Sequence, residues 1–193
     1  MGRKFPGNSR GWFASGHWTD ARFARTIKRI TLPLTLAVIL IGCAIGAPRD
    51  SVLASAYSAN YTEDYIPEFH IETSDGGDTG AQGIQVRPFS QGGAGKTQCC
   101  SYLPVVGKTI RVIWSVGAYN DPESKRTTFS KDIRTLGSVS SDANSFTYLI
   151  VRFFPDHEVE AEYVSQLLSK GSPLNPRVDL LFTGQRVMRH IGE

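Results

Sequence analysis

Cysteine is scarce: the 193 residues contain three, at positions 43, 99 and 100. None is closely spaced to His70, His157 or His190, so a zinc site with the usual ligand spacing is not expected. No Gly-x-Ser-x-Gly elbow occurs and no other catalytic constellation stands out, which points away from an enzyme and implies no cofactor. A basic surplus is also lacking where it would matter. The net charge is +3, but residues 1–42 hold seven Lys/Arg against one Asp, leaving fourteen basic and seventeen acidic residues after them. A mildly acidic remainder does not suit phosphate, so nucleic acid is excluded as a partner. With 40% hydrophobic and 20% charged residues, the chain can bury a core.

What is present begins with an export signal. Arg22, Arg25, Lys28 and Arg29 precede the apolar run Ile30 to Ile41, a basic segment followed by a hydrophobic one of signal-peptide length. The run is shorter than the roughly 20 apolar residues of a spanning helix, and Pro33 interrupts it. It ends in Leu40-Ile41-Gly42-Cys43, the lipobox pattern, in which a small residue opens the scissile bond and the thiol receives diacylglycerol. Ordinary cleavage is the rival, but Ala44-Ile45-Gly46 is a weak site and Pro48 spoils the one after Ala47. Lipidation of Cys43 is therefore expected, with the membrane as a partner through that anchor. Ala44, rather than Asp, after the cysteine points to the outer membrane, the domain facing the periplasm. The stretch before Arg22 is long for a signal and suggests a start codon called too early.

Three segments follow: a signal peptide over 1–42, a lipidated N-terminus and flexible Ala/Ser-rich tether over 43–60, and a β-rich domain over 61–193. In the domain, Tyr65 to Glu72 alternates and reads as a strand before the Ser74–Asp78 turn. Gly80 to Gly95 reads as irregular. Thr109 to Val116 is a strand by β-branched content, and Thr127 to Ile133 an edge strand. Phe146 to Phe154 is the more continuously apolar strand and is therefore expected to be central. Glu158 to Val164 sets Val159, Ala161 and Tyr163 on one face and Glu158, Glu160 and Glu162 on the other. Leu180 to His190 fits a strand or a helix. The expected fold is mainly β, a single small antiparallel sheet or sandwich.

Several features invite a sharper reading. Gly92-Gly93-Ala94-Gly95-Lys96-Thr97 imitates the end of a phosphate loop, but Ser90 stands where the first Gly belongs and Cys99-Cys100 to Pro104 is a poor helix opening. A flexible loop is expected instead. Cys99 and Cys100 are the only thiols left beside Cys43, and two readings stand: a vicinal disulfide, or two reduced thiols on a strand. The Glu158/Glu160/Glu162 row is expected to be a solvated strand face rather than a contact surface. Asp75 and Asp78 offer too few ligands for calcium.

Spaced motifs add a resemblance. Asn60-Tyr61-Thr62 with Tyr65-Ile66 and Phe69, Gly92-Gly93, Cys99-Cys100, Leu103-Pro104, Val112-Ile113-Trp114, Phe153-Phe154-Pro155-Asp156 with Val159-Glu160-Ala161, and Pro173 to Pro176 together resemble the Gram-negative lipoproteins of domain of unknown function 3304. Two turns depart from that pattern: Val105-Val106 lead directly to Gly107 without the Trp-x-Pro-Gly turn, and His157 stands where Gly often follows Pro-Asp. Members resemble immunity proteins encoded beside type VI secretion phospholipases. The resemblance implies a periplasmic inhibitor that neutralises a lipase effector by binding it. A structural envelope lipoprotein, or a lipid- or glycan-binding module, remains the alternative. Aromatic anchors for a partner are expected among Tyr61, Tyr65, Tyr102 and Tyr119, wherever these prove exposed.

Overall fold

The computed structural model describes residues 50–193; the signal segment and the lipidation site Cys43 lie outside them. Among the described residues ten strands form two sheets: β1 (Ser51–Asn60), β2 (Ile66–Thr73), β3 (Asp78–Val86), β4 (Lys96–Thr97), β5 (Ser101–Pro104), β6 (Thr109–Val116), β7 (Thr127–Arg134), β8 (Leu136–Gly137), β9 (Ser145–Phe154) and β10 (Glu158–Leu167). The first sheet runs β5-β1-β9-β10-β8 and the second β4-β3-β2-β6-β7. The second is antiparallel throughout. The first is mixed, because β1 pairs parallel with β9 and β8 parallel with β10. Alternate side chains of both sheets meet in one core. Ala54, Ala56, Leu149, Val151, Phe153, Ala161 and Tyr163 come from the first sheet, and Phe69, Ile71, Val112 and Trp114 from the second. Phe153 bridges the layers, with its ring 5.6 Å from Phe69 and 5.8 Å from Trp114. This is the face-to-face arrangement of a β-sandwich.

The strands expected from Tyr65, Thr109, Thr127 and Phe146 onward are present, with β7 at a sheet edge and β9 in the middle of its sheet. β9 is apolar along most of its length because it is buried on both faces, Arg152 being its one charge. Leu149, Val151 and Phe153 face the interior, while Ile150 and Phe154 join a second cluster with Tyr61, Val164, Val178 and Leu181 on the outer face. The C-terminal segment 168–193 supplies that outer cover, and its only regular piece is a 3-10 turn at Leu180–Thr183.

Two expectations are corrected. Ser51–Asn60, read as the end of the tether, is strand β1, flanked by β5 and β9. Its Ala and Ser content suggested a linker, yet Ala54 and Ala56 are core residues. The glycine-rich stretch from Gly80 is also ordered as far as Val86. Gly83 pairs with Phe69, and a Cβ there would stand 2.3 Å from the Phe69 ring, so the glycine answers a packing need.

The tight link between β9 and β10 needs left-handed backbone at Asp156 (φ 59°) and His157 (φ 58°). Glycine would be unstrained at either position. His157 instead stacks its ring on Phe129, with the centroids 3.8 Å apart.

Candidate partner-binding end and its supports

The connections 62–65, 117–126 and 155–158 gather at one end of the sandwich. Gly117 N–H donates to the Tyr65 carbonyl at 3.1 Å, and a small hollow is lined jointly by Thr62, Asp64, Trp114, Pro155 and Glu158. Tyr65 and Tyr119 stand there edge to face, with centroids 5.5 Å apart, Tyr119 exposed and Tyr65 half-buried. Burial, then the neighbouring Tyr119, pushes the Tyr65 phenol above its ordinary value. These connections carry six carboxylates, on Glu63, Asp64, Asp121, Glu123, Asp156 and Glu158, against the two cations Lys125 and Arg126. Lys131 answers one of them, Glu158, at 2.5 Å. Arg126 and Arg87 are the charged groups that act on Tyr65 itself, so the aromatic pair has cations beside it within an end that carries a modest surplus of carboxylates.

Of the four tyrosines considered as anchors, Tyr65 and Tyr119 come together. Tyr102 is exposed but lies on β5 opposite Leu53, near the start of β1 and away from the pair. Tyr61 is not available. It is 3% exposed, stacks on Phe154 at 5.4 Å and donates its hydroxyl to Asp179 Oδ1 at 2.5 Å. Burial, then that bond, pushes the Tyr61 phenol well above its ordinary value.

The glutamate row is corrected as well. Glu160 and Glu162 are buried, and they share the guanidinium of Arg152, which is wholly shielded from solvent. Arg152 Nη1 donates to Glu160 at 2.9 Å and Glu162 at 2.6 Å, Nε donates to Asp179 Oδ1 at 2.9 Å, and Nη2 to the Arg177 carbonyl at 3.0 Å. Arg177 grips Glu162 from outside through Nε at 2.6 Å and Nη2 at 2.9 Å. Arg189 approaches Glu162 to 4.0 Å and Asp179 to 3.9 Å. Three carboxylates therefore meet three guanidinium groups, the balance a dry site requires. Burial opposes the charge on Arg152, but its bonds to Asp179 and Glu162 outweigh that and raise its pKa. Burial likewise opposes ionised Glu162, yet the bonds from Arg177 and Arg152 hold it below the usual carboxylate range. Arg177, Asp179 and Arg189 belong to the C-terminal segment, so the network fastens that segment to the sheet. Sequence reasoning missed it, although Arg152 is the lone charge in the Phe146–Phe154 run and carried the signal.

Cys99 and Cys100 are joined by a disulfide with S–S 2.01 Å, exposed between β4 and β5. Ser55 Oγ lies 3.6 Å from one sulfur and 3.7 Å from the other. The Gly92–Gly95 segment is not a phosphate cradle but a support for Asn60. Gly93, at φ 63°, accepts from Asn60 N–H at 2.7 Å, and a Cβ on Gly93 would meet the Asn60 carbonyl at 2.7 Å. The Asn60 side chain in turn donates to the Asp64 and Arg87 carbonyls and accepts from Thr62. That explains the Asn60-Tyr61-Thr62 and Gly92-Gly93 motifs as one knot. Asp75 is engaged by the Thr73 hydroxyl and Asp78 by Gly80 N–H, both as turn acceptors.

No curated protein and no solved structure matches the chain. A family model described as "Protein of unknown function (DUF3304)" matches residues 59–161, more than half of the sequence. The matched span runs from Ala59, beside the Asn60 knot, to Ala161 beyond Glu160, and it contains the cysteine pair and Arg152. The chain therefore belongs to this family, domain of unknown function 3304.

Proposed function

We propose that this chain is an envelope lipoprotein, anchored through Cys43 and facing the periplasm, that binds and neutralises a type VI secretion lipase effector. The observation that carries this reading is the Tyr65–Tyr119 pair within its acidic surround. Aromatic anchors with a charged rim are the usual composition of a protein-binding surface, and negative charge suits a basic partner. The pair also lies at the end remote from Asp50, where the chain arrives from Cys43; the intervening ten-residue strand β1 spans roughly 30 Å. An inhibitor acts by occupancy and uses no catalytic groups of its own. The carboxylates Glu160, Glu162 and Asp179 fit that role, being committed to arginines rather than free for proton transfer.

A ligand-binding module is less well supported. The apolar hollow lined by Tyr57, Tyr148, Ile150 and Phe182 measures about 160 Å³, below the roughly 300–1,000 Å³ of small-molecule sites, and the larger cleft of about 840 Å³ beside Asp75, Tyr102 and Lys108 is wide open to solvent.

The test is to express the lipase encoded by the adjacent gene in the periplasm of a sensitive strain, with and without this protein. Protection, and a stable complex of the purified pair, are expected. Unchanged killing with no detectable complex would sink the immunity reading and leave a structural lipoprotein in front.

A further inference from the structure

The outer face of the first sheet is only partly roofed. Toward Asn60 the C-terminal segment covers it through Val178, Asp179 and Leu181. Toward Ser51 the face lies open. Leu53 and Tyr102, paired across β1 and β5, are 52% and 49% exposed. Half-buried Tyr148 continues the patch inward, with its ring 4.9 Å from Phe146 and 4.6 Å from Tyr57. None of these five side chains bears a charge. Phe182 of the C-terminal segment caps Tyr57 at 5.4 Å, so the open part of this apolar surface is Leu53, Tyr102, Phe146 and the outer side of Tyr148, a patch of the kind that marks an interaction site.

The path of the chain says what lies closest to it. Asp50, three residues before Leu53, is pinned at this end by Val105 N–H donating to its carbonyl at 3.2 Å. Cys43 precedes Asp50 by seven residues, which span at most about 25 Å when fully extended. We propose that this face docks on the bilayer in which Cys43 is anchored, a proposal that rests on the lipoprotein reading. Tyrosine rings with an aliphatic neighbour suit the headgroup boundary, where one end of the ring is dry and the hydroxyl wet. A contact too weak to hold a free protein suffices here, because the acylated Cys43 keeps the face at high local concentration beside the lipid. Docked this way, the Tyr65–Tyr119 end is held off the membrane and open to a partner.

Tryptophan quenching tests this in the mature protein. Trp114 is the only tryptophan after residue 42 and is buried, so it sets the background. Leu53→Trp and Tyr119→Trp proteins, with acylation of Cys43 verified by mass spectrometry, are placed in phosphatidylethanolamine–phosphatidylglycerol vesicles. The vesicles are doped with phosphatidylcholine brominated near the headgroup end of its chains. Loss of emission and a blue shift are expected from Leu53→Trp, with Tyr119→Trp matching the wild-type background. No quenching at position 53 in acylated protein overturns the docking alone. Quenching at both positions also overturns it, since the domain then has no preferred face. If position 53 becomes shielded only as protein concentration rises, the face belongs to a second copy and the proposal falls. An unacylated Cys43 appears in the mass spectrum before any vesicle is made and removes the lipoprotein reading together with the docking.

Discussion

Arg152 and Asp179, 27 residues apart, form a two-pronged ion pair in which neither side chain reaches solvent: Nε meets Oδ1 at 2.9 Å and Nη2 meets Oδ2 at 2.9 Å. The pair joins the most buried strand of the first sheet to a segment with almost no regular structure. Burial of charge on this scale is tolerated because every carboxylate has a guanidinium partner, and removing one partner strands the others.

Arg152→Met is therefore expected to destabilise the domain by about 3–5 kcal/mol, because Glu160, Glu162 and Asp179 lose their shared cation. Arg152→Lys should recover only part of that, since an ammonium cannot reproduce the fork that spans three carboxylates. Urea unfolding of the variants measures both. Equal stability of wild type and Arg152→Met would show that the network contributes nothing.

The network also sets an acid limit. Glu162 has its pKa lowered in the folded state from an ordinary value of 4.5. The unfolded chain consequently takes up a proton there first, so the stabilisation is complete above pH 4.5 and is lost as pH falls through the lower folded value. Unfolding free energies measured from neutral pH downward should show this decline, and Glu162→Gln, weaker at neutral pH, should show a shallower one. An unchanged acid slope in Glu162→Gln would assign the decline to other groups.

The cysteine pair is checked by mass. Protein taken from the cell envelope and alkylated under denaturing conditions without reduction should carry no label on Cys99 or Cys100, and should weigh two hydrogens less than the dithiol. Full labelling would contradict the bond. Its presence does not imply redox catalysis, because a bridge of this kind can simply hold a loop.

At the partner-binding end, Tyr119→Ala should weaken binding of the cognate lipase at least about tenfold. The same change should leave stability within about 0.5 kcal/mol, since the side chain is exposed. Association should slow as salt is raised, reflecting the six carboxylates around it. Binding indifferent to both Tyr119 and salt would place the contact elsewhere.

Processing has its own test. Cells fed a labelled fatty acid should label the wild type, and Cys43→Ala should lose the label and leave a larger precursor. An unlabelled wild type whose mature N-terminus is Ser51 or later would end the lipoprotein reading.

The sequence by itself determined the β class and the placement of the strands at 66–73, 109–116, 127–134 and 145–154, because period-two alternation and β-branched runs are local signals. It also showed the Asn60, Gly93 and Cys99-Cys100 motifs as residues, while their contacts came only from the structure. Only the tertiary structure decided the roles that depend on what lies opposite. β1 looks like a linker until its alanines join the core that also holds Phe69 and Trp114. Glu160 and Glu162 look like a solvated face until an irregular segment brings Asp179 and two arginines over Arg152. Tyr61 and Tyr119 are the same residue type in similar polar surroundings of sequence, yet one is sealed against Asp179 and the other stands in water. Burial is a property of neighbours brought from far along the chain, and no local pattern encodes it.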